Sequence, residues 1–146
     1  MGARYPGLHV FAGKNRSQFL PWPILADRGV IDLNKRLAEY WPEFGQAGKD
    51  KITVEQLLSH LAAIPGAFSA RKGDAYDSVK MAQAIEVPEP LWEPGTQGCY
   101  HTFTMGYLCS ELVRRVTDRT LGQFVREQIS LPLDLDFRSL LRCQGC

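Results

Sequence analysis

The 146-residue sequence has no long apolar run, no excess of charge of one sign and only four cysteines. Its apolar runs extend over only a few residues, whereas a helix that crosses a bilayer needs about 20. Seventeen Lys and Arg against sixteen Asp and Glu give a formal net charge of +1, so there is no basic excess for the phosphates of a nucleic acid. We therefore predict a chain that binds neither membranes nor nucleic acids.

The cysteines predict a reducing environment. Cys99, Cys109, Cys143 and Cys146 are too few and too unevenly spaced for a disulfide framework. The first residues also lack the continuous apolar stretch of a secretory signal. We therefore expect a cytoplasmic protein. Its 45% hydrophobic and 23% charged residues are typical of one globular unit with its own core.

Helical patterns begin at residue 24, and no segment shows a convincing strand pattern. Two capping boxes, Thr53 with Gln56 and Thr120 with Gln123, each precede an apolar stripe with helical spacing. We predict helices that end at Gly29, follow an N-cap at Asp32, follow Thr53, extend over 74–87 and 105–116, and extend from Thr120 to Pro132. The predicted inward residues are Leu33, Leu37, Tyr40, Val54, Leu57, Leu58, Leu61, Val79, Ala82, Ile85, Met105, Leu108, Cys109, Leu112, Val113, Val116, Leu121, Phe124, Val125 and Ile129. The expected fold class is mainly α.

A long loop interrupts the helices. Residues 86–99 contain three prolines and two glycines, and a stretch of this length without regular structure often lines a functional site. Residues 1–23 are also punctuated by proline and glycine, and we predict that they are irregular.

Five sequence blocks occur in an order that resembles a known family: YWPEF, TVEQLLSH, WEPGT, YHTFTMGYL and REQISLPLDLDF. Together they resemble the β-lactamase-related serine hydrolases, nearest to the esterase-like branch of the class C β-lactamase and penicillin-binding-protein group. The resemblance covers residues 24–137 and leaves 1–23 as an irregular N-terminal segment and 138–146 as an unmatched tail. It implies the helical subdomain of the β-lactamase/transpeptidase-like α/β fold, without most of its sheet.

The resemblance also implies a mechanism of acyl transfer. In that family a Ser-x-x-Lys pair supplies the nucleophile and helps remove its proton, and the tyrosine of a Tyr-x-Asn-like motif shares the general-base work. A late strand with a Lys/His-x-Gly motif supplies an oxyanion-hole N–H group. The implied substrates are small esters, amides or lactams, with no metal and no organic cofactor.

Tyr100 matches the tyrosine of this motif and is the candidate general base, and Thr102 stands in place of the motif asparagine. Threonine can still donate and accept a hydrogen bond, although with different geometry. The alternative interpretation of Tyr100 is a half-buried tyrosine at a helix start whose hydroxyl bonds a backbone carbonyl.

The nucleophile motif is missing from its usual place. Ser17 precedes the LADRG block but has Leu20 where the lysine belongs, and we expect the prolines that follow to break the helix that presents it. A literal Ser-x-x-Lys occurs at Ser69 and Lys72, but it lies in a loop rich in proline and glycine, where we expect a solvated surface. We therefore expect a truncated or rearranged family member that is inactive as it stands. The alternative is a non-catalytic pseudoenzyme or interaction module that packs against itself or a partner chain through exposed apolar helix faces.

Cys143 and Cys146 form a C-x-x-C motif with three alternative interpretations. It could be half of a zinc site that Cys99 and His101 complete, or a redox pair. We favour the third interpretation, an incidental tail.

Ser59 and His60 are adjacent in the sequence, so on a helix their side chains would point about 100° apart, which disfavours a catalytic pair. The resemblance instead implies that this pair belongs to a structural block, in which the histidine ties a following loop by a hydrogen bond.

Overall fold

The computed structural model describes residues 19–101 and 103–135. Over this part of the chain the structure is helical, without a strand, and a single antiparallel β-bridge pairs Arg36 with Thr53. The α-helices are α1 (Pro21–Asp27), α2 (Leu37–Tyr40), α3 (Val54–Leu58), α4 (Ser78–Glu86), α5 (Met105–Thr117) and α6 (Leu121–Val125). Short 3-10 helices cover Pro42–Gly45 and Asp74–Tyr76, and a π-helical turn over Arg126–Ser130 continues α6. The predicted mainly α class is confirmed.

Both predicted capping boxes are present. The Thr53 hydroxyl accepts a hydrogen bond from the Gln56 amide at 3.1 Å, and the Gln56 side chain accepts one from the Thr53 amide at 3.0 Å. The same reciprocal bonds join Thr120 and Gln123 at 3.2 and 3.0 Å. Each box satisfies amides that the first helical turn leaves without a partner, which is why α3 and α6 begin where the sequence predicts.

The first helix begins earlier than expected. Pro21 is its first residue, a position where the missing N–H and the fixed φ of proline are compatible with a helix. Residues 21–23, which were predicted as irregular, are therefore helical. The expectation that the prolines break a helix presenting Ser17 stays a prediction, because Ser17 lies outside the described residues. The predicted end of this helix is confirmed, since Gly29 follows the last turn with a φ of +67°.

The predicted N-cap at Asp32 is wrong. Its carboxylate accepts from the Asn34 amide at 2.9 Å in a local turn, and α2 begins only at Leu37, after Arg36. Asp and Asn favour both turns and caps for the same reason, since their short side chains accept from nearby amides. Pro42 opens a 3-10 helix there.

The segment predicted as one helix over 74–87 is divided in two. Asp77 caps α4 by accepting from the Val79 and Lys80 amides at 3.0 and 3.2 Å. Because Val79 therefore lies in the exposed first turn, its side chain is 46% exposed, and Met81 is buried instead. The other predicted inward residues of α4, Ala82 and Ile85, are buried.

The core contains side chains from all six α-helices, and α4 packs against α5. Its buried members include the predicted apolar stripes, together with two tryptophans that the sequence pattern did not place; the largest are Trp22, Trp41, Phe44, Phe124, Leu25, Leu37, Ile52, Leu57, Met81, Ile85 and Met105. Leu33, Tyr40, Val116 and Ile129 pack against this cluster and are only partly buried, and Leu61 is likewise partly buried.

A buried lysine fixes the end of α4 and the start of the long loop. The Lys49 ammonium donates to the carbonyls of Glu86, at 2.8 Å, and Pro88, and it lies 5.7 Å from the centre of the Phe44 ring. Burial lowers the pKa of Lys49, while the negative charges of Glu86 and Glu89 oppose that shift. The carbonyls at the C-terminal end of a helix carry partial negative charge, so a buried cation there satisfies groups that the helix leaves unpaired.

The long loop that follows α4 is held against the turn after α3. No helix or strand occurs between Val87 and Thr104 among the described residues, which confirms the predicted loop. Three of its backbone amides nevertheless donate to carbonyls of that turn: Leu91 to Ala63 (3.0 Å), Gly95 to Leu61 (2.8 Å) and Cys99 to His60 (3.1 Å). We call these the three anchoring bonds. They set the course of the loop along that turn.

Gly95 is required at the second anchoring bond. Its φ is +89°, and a Cβ built there would lie 2.7 Å from the side-chain nitrogen of Gln56. That side chain is itself held in the capping box at Thr53, so it cannot simply turn away.

We predict that Gly95→Ala lowers the free energy of unfolding by about 1–2 kcal/mol, because alanine disfavours a positive φ and meets Gln56. The measurement is urea denaturation followed by circular dichroism. Gly122→Ala is the matched control, since a Cβ at Gly122 in α6 meets no atom within 4 Å, and alanine favours a helix by up to about 1 kcal/mol over glycine. Equal stability of the two variants would contradict this prediction.

Candidate functional site

Tyr100 lies directly after the third anchoring bond and shortly before α5. The Cys99 amide is held by the His60 carbonyl at 3.1 Å, so the backbone that carries Tyr100 has a fixed position. Its side chain is 60% exposed, and its hydroxyl makes no hydrogen bond with a described residue. The alternative of a half-buried tyrosine bonded to a backbone carbonyl does not match this environment. The phenol is instead accessible from outside the chain.

Two imidazole rings lie behind Tyr100. The ring centre of His60 is 4.7 Å from that of Tyr100, with the planes 60° apart. The ring centre of His101 is 4.6 Å from that of His60 in an edge-to-face arrangement at 79°. Such tilted contacts are the favoured geometry between aromatic rings. We call these three residues the Tyr100 cluster.

The two histidines of the cluster have buried polar atoms without a hydrogen-bond partner among the described residues. They are Nδ1 of His60 and both ring nitrogens of His101, and the hydroxyl oxygen of Thr104, the residue before α5, likewise has none. His101 is only 1% exposed. Its backbone is held at the start of α5, because its carbonyl accepts from the Met105 amide at 3.1 Å.

Both imidazoles are neutral at physiological pH. Burial, together with a smaller effect of the neighbouring His60, lowers the pKa of His101 to about 4. Burial also lowers the pKa of His60. Charging either ring would place a cation where water cannot reach it, and charging both would add their repulsion. Tyr100 therefore has a neutral, aromatic environment on its inner side.

The expected hydrogen bond between His60 and a following loop is present, since the His60 carbonyl accepts from the Cys99 amide at 3.1 Å. The bond is made by the backbone, and Nδ1 of the side chain has no partner among the described residues. The neighbouring Ser59 hydroxyl donates to the Glu55 carbonyl at 2.7 Å, so the two side chains do not form a catalytic pair.

The contact between His60 and Tyr100 was not predicted, because it joins residues forty positions apart. The sequence does show a loop with proline and glycine after TVEQLLSH and another before YHTFTMGYL. A contact between these two loops was the hypothesis that would have brought His60 close to Tyr100. Hydrogen bonds between those loops bring the two blocks together.

Several sequence candidates stay predictions. Thr102, Ser17, Cys143 and Cys146 lie outside the described residues. Ser69 and its partner Lys72 are both exposed, in the loop before the 3-10 helix Asp74–Tyr76 and not on a helix. The lysine is therefore not placed one helical turn after the serine, as the family mechanism requires.

The described residues contain no group of three or more His, Cys, Asp or Glu side chains that could hold a metal ion. Cys109 is fully buried, and burial raises the pKa of its thiol to about 12, although a contact with Trp22 opposes the shift. Its thiol is therefore unreactive. Within 19–101 and 103–135, no helix has both the length and the hydrophobicity needed to cross a lipid bilayer.

Comparison with known proteins gives this fold and site a family. The Beta-lactamase family model matches residues 24–136. The esterase/beta-lactamase LipL of Mycobacterium tuberculosis is 39% identical over 112 residues, which are 77% of this chain and 26% of LipL. A penicillin-binding-protein homologue from Caulobacter crescentus superposes with a TM-score of 0.78 at 38% identity, over 84% of this chain and 33% of the homologue. A family VIII carboxylesterase superposes with a TM-score of 0.74 at 41% identity, over 82% of this chain and 33% of that enzyme.

The chain belongs to the Beta-lactamase family, whose members here include serine hydrolases and esterases. Its helices correspond to a helical portion of the β-lactamase/transpeptidase-like fold. The chain spans about a quarter to a third of the length of these relatives.

Because His101 is buried and uncharged, we expect the free energy of unfolding to depend on pH in the acid range. His101 titrates near 6.5 when unfolded and near 4 when folded, so between these values the unfolded state binds more protons. The free energy of unfolding should therefore fall as the pH falls from 6.5 to 4, by up to about 1.4 kcal/mol per pH unit from this residue.

We predict that His101→Phe shows a weaker loss of stability than the unmodified chain over this pH range, and a parallel curve above pH 7. The measurement is urea denaturation at a series of pH values. Carboxylates such as Glu111 are common to both chains, so their contribution cancels in the difference. Curves that stay parallel from pH 6.5 to 4 would contradict a neutral, buried His101.

Proposed function

We propose that the chain is the helical subdomain of a serine hydrolase that transfers acyl groups from small esters or amides, and that Tyr100 shares the general-base work. The observation that carries this proposal is the accessible phenol of Tyr100. The resemblance of the YHTFTMGYL block supports its assignment as the family tyrosine, and its backbone follows directly after the third anchoring bond. The esterase activities named for LipL and for the family VIII carboxylesterase support the substrate class.

The surroundings of Tyr100 suit proton transfer. A phenol can both donate and accept a proton, and the neutral imidazoles behind it leave no positive charge buried beside the oxygen. Its outer side is open to a substrate or a nucleophile. In this proposal Thr102 takes the place of the motif asparagine and hydrogen-bonds near the same site.

The nucleophile is the part that these 146 residues do not provide. Ser17 has no lysine three residues later. Ser69 and Lys72 lie in an exposed loop. We therefore propose that the chain alone does not catalyse acyl transfer. A cytoplasmic location stays a prediction.

A second proposal is a non-catalytic role in which the chain packs against another copy or a partner. Exposed large hydrophobic side chains favour it, among them Phe68 (66% exposed), Phe103 (61%) and Leu133 (64%). Such side chains mark interaction surfaces when they are contiguous, and the edge-to-face contact of Phe103 with Tyr107 at 5.7 Å begins such a patch.

We predict that the purified chain neither hydrolyses p-nitrophenyl butyrate nor gains mass from a fluorophosphonate probe, because no serine of residues 19–101 and 103–135 is paired with a lysine one turn later on a helix. Intact-mass spectrometry and absorbance are the measurements. An adduct on Ser17 or Ser69 would contradict the inactive assignment. Sedimentation of the same sample separates the two proposals, since a concentration-dependent dimer supports an interaction role and a monomer argues against self-association.

The role of Tyr100 is testable where a nucleophile is present. In LipL, the matched 112-residue segment is replaced by the corresponding residues of this chain. We predict that Tyr100→Phe in this chimera lowers kcat by about 100-fold or more, as expected for a lost general base, with little change in KM.

Tyr76→Phe is the matched control for this experiment, because Tyr76 is 87% exposed and lies in the 3-10 helix before α4. It removes the same hydroxyl group from a different place. If both variants keep the activity of the chimera, Tyr100 is not the general base.

A further inference from the structure

His60 combines two features that both act on Tyr100. Its carbonyl accepts from the amide of Cys99, the residue before Tyr100, at 3.1 Å. Its ring contacts the Tyr100 ring at 4.7 Å. We propose that His60 is the positioning residue of Tyr100, with its backbone setting where the tyrosine stands and its imidazole ring setting the direction of the phenol.

The ring contact matters because little else restrains the Tyr100 side chain. The side chain is 60% exposed, and its hydroxyl bonds no described residue. An exposed tyrosine without such restraint exchanges between staggered rotamers within nanoseconds. The face of the neighbouring imidazole favours one of them, which keeps the phenol oxygen pointing in one direction.

His60 itself is held firmly enough to serve this purpose. It is buried, and the edge-to-face contact with His101 at 4.6 Å supports its ring from the inner side. His101 is in turn fixed at the start of α5 through its carbonyl. The start of α5 therefore fixes His101, the His101 ring contacts the His60 ring, and the His60 ring contacts Tyr100.

The backbone of His60 is in the left-handed region. Its φ is +64°, a conformation that glycine adopts without cost and other residues adopt at about 1 kcal/mol or more. Glycine is therefore compatible with this position, and His60→Gly removes the imidazole without straining the turn.

The catalytic meaning of this positioning rests on the proposed function, but the positioning can be tested in the chain itself. His60→Gly is the main variant, because it removes the ring and relieves the backbone, so the fold is retained. His60→Phe keeps an aromatic ring and removes the nitrogens. Phe103→Ala is the matched control, because it removes an exposed neighbouring ring that contacts Tyr107 rather than Tyr100.

The measurement is NMR of chains with 13C-labelled tyrosine rings, in which Tyr100→Phe identifies the Tyr100 signals. We expect cross-peaks between the rings of residues 60 and 100 in the unmodified chain and in His60→Phe. In His60→Gly the Tyr100 ring signals should move to the values of free tyrosine and narrow with increased mobility. In Phe103→Ala the Tyr107 signals should move and those of Tyr100 should not.

Unchanged Tyr100 signals in His60→Gly, with the methyl signals of buried Leu108 preserved, would overturn the proposal, because the tyrosine would then be held without the imidazole. Loss of the Tyr100 position in His60→Phe would overturn the role of the ring contact and assign it to the nitrogens. The NMR experiment and the chimera experiment test different claims. If the NMR signals show that His60 holds Tyr100, but Tyr100→Phe leaves kcat of the chimera unchanged, the proposed function is refuted and the positioning role remains.

Discussion

The structure around Tyr100 depends on the three anchoring bonds between the long loop and the turn after α3. The loop has no helix or strand of its own to satisfy its backbone amides, and it contains three prolines that cannot donate hydrogen bonds. Amides at Leu91, Gly95 and Cys99 find their acceptors in one short turn. These bonds make an irregular segment a fixed support, and they bring the two sequence blocks that carry His60 and Tyr100 into contact.

The rest of the helical scaffold holds the two ends of this loop. At its start, Lys49 donates to two carbonyls at the end of α4, and the Trp41 indole donates to the Glu86 carboxylate at 2.7 Å. At its end, α5 has a continuous buried face and a buried carboxylate, Glu111, that accepts from Arg114 and Arg115. Burial raises the pKa of Glu111, but these hydrogen bonds outweigh it and lower the pKa, so the carboxylate stays charged. A loop held at both ends and along its length has few ways to move.

The sequence predicts the elements of this chain better than the contacts between them. The capping boxes at Thr53 and Thr120 and the apolar stripe of α5 are local patterns, and the structure confirms them. Asp32 was misassigned because its side chain can close a turn as readily as cap a helix, and Val79 because the helix begins at Ser78 rather than near Asp74. The Tyr100 cluster was not predicted at all, since only tertiary hydrogen bonds join its members. The resemblance to the family supplied Tyr100 as a candidate, which periodicity alone does not provide.

The two imidazole rings behind the exposed Tyr100 are uncharged because they are buried. Burial keeps His101 uncharged down to about pH 4 and lowers the pKa of His60 as well, so neither ring takes up a proton near neutrality. The cost falls on Nδ1 of His60 and on both ring nitrogens of His101, which have no hydrogen-bond partner among the described residues. Buried polar atoms without a partner cost free energy wherever they lie, and the core of the described chain contains another one in the indole nitrogen of Trp22.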